Sequence, residues 1–397
     1  MNLSKTFDSI LELSPNDKKN VKKLYQFIVN HYKDEPHYVP PLKMELLGSK
    51  LLKTKGLLRH NHPFHDHAKV RYFLALSKDK KVLGSIAAVV NEAHNNYYQE
   101  KTGFFGFFEC IDNQETAFAL LDKAKNWLLS QGMEIMRGPA NFSTNEPIGL
   151  QIKAFDTIPF INTPHNYPYY QTFLENYGFQ KSMDLLAQMM PVRDNDKETE
   201  GRIDRLKRFS DKIKTRFNIT LEDFNLKKPQ KHLEIIKELY QEAWKDNWGF
   251  VPTSDKEFDI LAHNLKTVAD PSLVKIAFVN GKPAAFIGSL PDINEVLIKC
   301  KKWPEIFKLV RLFWWLIRKK FTRVRLLLFG IKEEYRMMGL DGVLFLEEFL
   351  AGGNLKRNYH FCEISWLLET NQLVIKAGEN MKAHTYKTWR LFDLPLK

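Results

Sequence analysis

The chain has 397 residues, 44% of them hydrophobic and 27% charged, a balance that excludes a disordered protein and leaves room for two or three folded domains. Its formal net charge of +12 favours anionic partners: nucleic acid, acidic lipid or a phosphorylated small molecule. Three dispersed cysteines, Cys110, Cys300 and Cys362, argue against a disulfide framework and suit a cytoplasmic location. No basic-then-apolar leader opens the sequence, and no apolar run approaches the roughly 20 residues of a membrane-spanning helix.

In chain order, residues 59–67 offer imidazoles at His60, His62, His65 and His67. They stand on a loop with no regular element to hold ligands, and no metal is expected there. Residues 70–91 read as strand, polar turn, strand. A strand at 103–110, a helix over about 114–131 and a strand at 133–137 follow. Next come a polar loop, a helix over about 169–177 and a closing apolar segment at 183–190. The charged run 191–201 is poor in structure signals and marks a junction. This predicts domains at 1–195 and 202–397, joined by a linker at about 191–203.

The second half repeats the order. Residues 273–292 form a hairpin pattern turned by Asn280-Gly281, a strong hairpin signal. A strand at 324–329, a helix after Gly339, a strand at 361–367, a short helix around 371–377 and a closing strand at 385–392 complete it. Two units of one design predict an α/β (α+β) protein. Each unit would hold a mixed, mostly antiparallel twisted sheet flanked by helices.

Between the strand at 324–329 and its helix lies Gly330-Ile-Lys-Glu-Glu-Tyr-Arg336-Met-Met-Gly339-Leu-Asp341-Gly342. A strand feeding a helix through such a turn aims backbone N–H groups and the positive end of the helix dipole at one spot, which suits a pyrophosphate. Arg336 lies beside it, and Gly339 and Gly342 allow close backbone approach. The equivalent turn of the first half, after Glu109, is acidic and lacks glycine, so no cofactor cradle is expected there. Residues 303–320 form the second informative stretch. On a helix, Lys308, Arg311, Arg318 and Lys319 share a stripe interrupted by Trp315, and Ile306, Leu309, Val310, Phe313, Trp314, Leu316 and Ile317 occupy the wide remainder. Such a helix suits either an anionic membrane surface or a protein core.

The element order and the turn together resemble the GNAT superfamily of acyl-CoA-dependent N-acyltransferases, as a tandem pair. Arg336-Met-Met-Gly339-Leu-Asp341 matches the first and fourth positions of that superfamily's Arg/Gln-x-x-Gly-x-Gly/Ala motif. It departs at the sixth, where Asp341 replaces a small residue. The chain is further similar to the bacterial ceramide synthase-like branch through Tyr38-Val-Pro-Pro-Leu, Thr102-Gly-Phe-Phe-Gly-Phe-Phe-Glu109, Arg137-Gly-Pro-Ala-Asn-Phe-Ser-Thr-Asn145, Tyr167-Pro-Tyr-Tyr170, Pro291-Asp-Ile-Asn294 and Glu363-Ile-Ser-Trp-Leu-Leu-Glu-Thr-Asn371.

The resemblance implies acyl transfer from a thioester to an amine, with acyl-CoA as co-substrate, and permits a long-chain sphingoid base as acceptor. It implies a donor site in the second half at Phe329, Gly330, Ile331, Arg336, Met337, Met338, Gly339, Leu340, Asp341, Gly342 and Asn371. The chemistry needs a deprotonated amine and donors for the oxyanion. Asp292 and Glu369, at strand ends in matching segments, are the candidate bases, and Tyr386 is the candidate proton donor to the thiolate. The acceptor is expected at Glu109, Asn141, Ser143, Thr144, Asn145, Asn166, Tyr169, Tyr170, Asn294 and Trp366. Two rivals stay open: an acetyltransferase of a small amine, peptide or aminoacyl group, and a non-catalytic basic protein of the same fold. No nucleic-acid motif is present. Peripheral contact with the inner face of a membrane is compatible with either enzyme, and the sequence leaves the oligomeric state open.

Overall fold

A computed structural model describes residues 7–143, 146–192, 197–353 and 357–396. The chain divides into two compact units. The first comprises Met1–Leu185, Leu297–Lys308 and Lys387–Lys397; the second comprises Leu186–Val296 and Leu309–Tyr386.

The first unit opens with strand β1 (Phe7–Leu13), then helices α1 (Lys18–His31) and α2 (Lys43–Leu47). The hairpin pattern becomes β2 (Ala68–Ser77) and β3 (Val82–Asn91), followed by α3 (Glu92–Tyr98) and β4 (Thr102–Cys110). Helix α4 (Gln114–Ser130) then leads to β5 (Ile135–Gly138), β6 (Leu150–Lys153), α5 (Tyr169–Tyr177) and β7 (Gln180–Pro191), whose last residues belong to the second unit. Asn113 caps α4 by accepting from the Thr116 N–H, and Ala117, Leu120, Leu121, Ala124 and Leu128 line one buried face. That is the helical apolar spacing, and each fully buried leucine contributes about 1.5–3 kcal/mol. Strands β1 to β5 are neighbours in sequence order, antiparallel except for β4 and β5, which run parallel.

The second unit holds α6 (Lys197–Arg216), β8 (Ile219–Asp223), α7 (Pro229–Trp244), α8 (Asp255–Val268), β9 (Val274–Val279), β10 (Lys282–Pro291) and α9 (Asn294–Leu297). It continues with α10 (Glu305–Arg318) from Leu309 onward, β11 (Arg323–Ile331), α11 (Leu340–Gly352), β12 (Phe361–Leu368), α12 (Gln372–Asn380) and the start of β13 (His384–Pro395). Its sheet runs β12-β11-β10-β9-β8, again with one parallel pair, β11 with β12. The β9–β10 turn places Asn280 and Gly281 at φ of 50° and 76°, the left-handed pair that a tight hairpin requires. Phe224, Ile236, Leu239, Tyr240, Ile276 and Phe286 form a core between α7 and the sheet.

Two further features concern β13 and α10. Residues Lys387–Pro395 of β13 complete the first unit, where they pair with β5 and β6. Helix α10 turns Leu312 and Trp315 inward, with Lys308 and Arg311 part-buried and Arg318 and Lys319 exposed, and leaves its broad apolar face outward. Leu312 and Trp315 are buried, whereas Ile306, Val310, Phe313 and Ile317 are 57%, 61%, 61% and 68% exposed.

Candidate active site

In the second unit β11 and β12 pair over Arg323–Phe361 to Leu326–Ile364. Both strands then run on, to Ile331 and Leu368, with no further β11–β12 pair among the described residues. Two parallel strands that part in this way leave N–H and C=O groups free of the ladder. The parting coincides with a bulge. Gly288 and Ser289 of β10 oppose Leu328 and Leu326, so Leu327 is the extra residue. Bulges of this kind recur beside active sites, where they re-aim side chains.

At the vertex of the wedge lies a buried polar cluster. Arg325 Nε donates to Ser365 Oγ at 2.8 Å, and Ser365 Oγ donates to Glu363 Oε1 at 2.6 Å. Tyr386 donates its hydroxyl to Glu363 Oε2. Asp292 Oδ2 meets Arg323 at 2.5 Å. Glu363 and Asp292 are fully buried, and Arg325 is 2% exposed. Two carboxylates facing two guanidiniums make such burial tolerable, because each charge has a partner. Burial pushes the Arg325 guanidinium down to about 10, against the opposing pull of Glu363 and Asp292, so it remains charged at neutral pH. Burial and the Glu363 carboxylate hold the Tyr386 phenol far above its ordinary 10, so it stays protonated.

Asp292 and Tyr386 thus lie in one cluster. Glu369 does not join them. It follows β12 in a turn, six residues beyond Glu363, or about 20 Å along an extended chain. Glu363 was missed as a site residue because its role depends on a partner 23 residues away. The only available signal was a Glu-Ile-Ser alternation that points Glu363 and Ser365 to the same face of a strand. Asn294 donates its backbone N–H to Asp292 Oδ1 at 3.2 Å, and Trp366 lies under the Arg325 guanidinium, 4.6 Å from ring centroid to Cζ.

The turn after β11 is a 3-10 helix, Glu333–Met338, that ends on Gly339 at φ 76°, the N-cap of α11. Phe209 of α6 uses the room that the glycines leave. Its ring would lie 3.0 Å from a Cβ on Gly339 and 3.2 Å from one on Gly342. Phe209 thus packs against the start of α11, beside its first-turn N–H groups. Asp341 is exposed, as are Arg336 and Met337, and an Arg336 Nη donates to the Ala243 carbonyl at 3.4 Å. Met338 is part-exposed, and Leu340 is buried under α11. The Phe329 carbonyl accepts from the Trp244 indole at 2.8 Å, and Gly330 and Ile331 pair with Phe286 and Ala285 of β10. Asn371 caps α12 by accepting from the Val374 N–H at 3.4 Å. The β11–β12 wedge offers free backbone groups to the amide-bearing arm of a nucleotide thioester, whereas the start of α11 meets Phe209 and carries the acidic Asp341.

The first unit has the same strand order but fills its own wedge. After β5 the chain turns back, and the Ala140 N–H donates to the Phe105 carbonyl at 2.7 Å. A Cβ on Gly106 would lie 1.9 Å from the Ala140 carbonyl oxygen, so only glycine admits this loop. Asn141 Oδ1 accepts the Phe107 N–H at 2.8 Å, and Phe142 is fully buried. Asn166 exchanges hydrogen bonds with the Gln151 backbone at 2.7 and 3.1 Å. Tyr169 donates to the Cys110 carbonyl at 2.7 Å. Glu109 Oε2 accepts from Tyr32 at 2.5 Å and from Tyr170 at 3.0 Å, and burial raises its carboxyl to about 7. Ser143 is half-buried in the loop, while Thr144 and Asn145 lie outside the described residues. Among the described residues no three His, Cys, Asp or Glu side chains converge as metal ligands. His65 meets the Leu57 carbonyl at 3.1 Å, and His62 accepts the Phe64 N–H.

No family model matches the chain. It is 31% identical to "Protein YghO" of Escherichia coli over 95% of this chain and 93% of that protein. It is 29% identical to "Bacterial ceramide synthase" of Caulobacter vibrioides over 91% of each. Among solved structures it is similar to a tandem GNAT protein from the clavulanic acid biosynthesis pathway, with a TM-score of 0.56, 12% identity and 98% of each chain covered. A GCN5-related N-acetyltransferase from Sphaerobacter thermophilus gives 0.50 at 11% identity, over 99% of this chain and 98% of that one. These structural likenesses establish the fold, and the full-length sequence match establishes the kinship. The chain belongs to one family with Escherichia coli YghO, is similar over nearly its full length to the Caulobacter ceramide synthase, and has the tandem GNAT fold.

Proposed function

We propose that this protein transfers a fatty acyl group from a CoA thioester to the amine of a long-chain, sphingoid-type base. The observation that carries the proposal is the β11–β12 wedge with the Glu363–Tyr386 pair at its vertex. Unpaired backbone N–H groups along β11 face the carbonyl oxygen as it becomes an oxyanion. The amine nitrogen attacks the thioester carbon, the N–C bond forms and the C–S bond breaks. Glu363 takes the proton that leaves nitrogen, and Tyr386 gives its proton to the departing thiolate. Transfer of the first proton from Glu363 to Tyr386 then restores both groups. Arg325 and Ser365 hold the carboxylate in place throughout. Asp292, paired with Arg323, positions the cluster from the neighbouring strand.

The lipid character of the acceptor rests on two supports. One is the name of the Caulobacter relative. The other is the outward apolar face of α10, with Lys320 over the Trp314 ring at 4.4 Å and Arg318 and Lys319 exposed at the same end. Exposed apolar residues edged by tryptophan and basic groups suit an anionic bilayer surface, where a lipid amine resides. Incubating the purified protein with acyl-CoA and sphinganine is expected to release free CoA and N-acylated product. A folded protein that releases no CoA with any acyl chain or amine overturns the proposal. CoA release with short polar amines only would replace the lipid acceptor by a soluble one.

A further inference from the structure

We infer that a cavity in the second unit, between α7, α8 and the sheet, receives the hydrocarbon tail of the donor thioester, and that Gly288 at its floor sets the acceptable length. The inference rests on the acyl-transfer reading above. Phe224, Ile236, Tyr240, Phe258 and Ala262 form the helical and strand walls, and Lys266 is the one charged lining residue. Leu327 and Leu328 of β11 close the other side. Such a lining offers a tail nothing but dispersion and release of water, which is what a hydrocarbon chain needs.

Three observations tie the cavity to the wedge. First, the bulge at Leu327 turns both Leu327 and Leu328 into the cavity, one residue beyond the last β11–β12 pair. Second, Leu290 lines the cavity and is the direct cross-strand partner of Arg325. Opposed residues share a face of the sheet, so the buried polar cluster and the cavity lie on the same face, with Leu290 between them. Third, Gly288, two residues before Leu290, lines the cavity. A Cβ there would find its nearest neighbours, Leu328 and Val274, at 3.5 to 3.8 Å, which is ordinary contact. A larger side chain has room only in the lumen.

The donor is the occupant, because the residues that build the wedge continue directly into the cavity wall. A carbonyl seated at the parting of β11 from β12 hands its tail to Leu327 and Leu328 without leaving β11. The amine approaches from the Glu363–Tyr386 side.

The test is calorimetry on the full chain with CoA and its thioesters from acetyl to stearoyl, followed by rates at one fixed amine. Affinity is expected to tighten by up to about fourfold per added methylene until the cavity is full, then level off. Gly288→Leu is expected to bring the plateau to shorter chains, weakening palmitoyl-CoA at least tenfold while leaving acetyl-CoA unchanged. Ala262→Phe, on the opposite wall, serves the same purpose should the glycine variant fail to fold. Affinity independent of tail length overturns the inference, as does an equal loss for every thioester. A plateau that follows the amine's chain instead also overturns it. Absence of binding by CoA in any form would instead remove the acyl-transfer reading itself.

Discussion

Replacing Tyr386 by phenylalanine removes one oxygen from the most buried part of the site. The carboxylate it served keeps its other support, since Ser365 still donates to Glu363 Oε1 at 2.6 Å and is itself held by Arg325 at 2.8 Å. Glu363 therefore stays in place, and the β11–β12 wedge is untouched. A lost hydrogen bond to a buried charged group costs about 1.5–3 kcal/mol of folding stability, a shift that thermal unfolding reads directly. The rate suffers for a different reason, because the thiolate loses its proton donor. General acid catalysis contributes on the order of 10²–10⁴-fold, and that loss is expected in kcat with KM for acyl-CoA nearly constant. The phenol's raised pKa adds a second readout. Ionisation of the phenol should therefore contribute no loss of kcat near pH 10, where an ordinary tyrosine ionises, and a fall there traces to the Arg325 guanidinium. Steady-state release of CoA, followed with a thiol reagent, measures each quantity. Full activity in Tyr386→Phe, or a loss confined to KM, would refute the assigned role.

Further outcomes follow from other parts of the molecule. Glu109 is raised from 4.5 to about 7, so the folded state holds its proton more tightly than the unfolded one. Its stabilising contribution is complete below pH 4.5 and is lost as pH rises through 7, a change of about 3 kcal/mol. Urea unfolding across that window should show the slope in the natural chain and a flatter profile in Glu109→Gln. Changing Phe313, Trp314 and Ile317 together to serine should weaken flotation with phosphatidylglycerol vesicles more than tenfold without altering helix content. Unchanged flotation would assign that face to something other than lipid. Gly330→Ala would bring a Cβ to 2.6 Å from Phe286 and 2.8 Å from Ala243. Overpacking of this kind costs about 1–3 kcal/mol, visible as a lowered Tm.

The local chemistry of the fold was readable in the sequence. Asn280-Gly281 announced its hairpin, residues 169–177 their helix, and the glycine turn its place between β11 and α11. These features depend on neighbours a few residues apart, and period and turn residues encode such relations. What escaped depends on distant contacts. The periodicity of α10 gave its two faces correctly but could not say which one meets the protein. That choice is made by Trp315 packing on Phe321, with ring centroids 5.5 Å apart. Glu363 reads as an ordinary strand acid until β13 brings Tyr386 beside it. Asn141 and Asn166 read as ligand groups because asparagine side chains satisfy a stranded backbone amide as readily as a substrate, and here they do the former.

The passage of β13 from the second unit at Tyr386 into the first at Lys387 has a bearing on how the chain is made. The strand that pairs with β5 through Phe392 and Gly138 is translated after everything else in the sheet. A ribosome that has released the first unit's earlier strands still holds back their last neighbour, so that unit waits, unfinished, until the strands of the second unit have been made. Cleaving the polypeptide at the junction near residue 192 would accordingly yield no self-sufficient N-terminal fragment, whereas supplying residues 387–397 in trans could restore one.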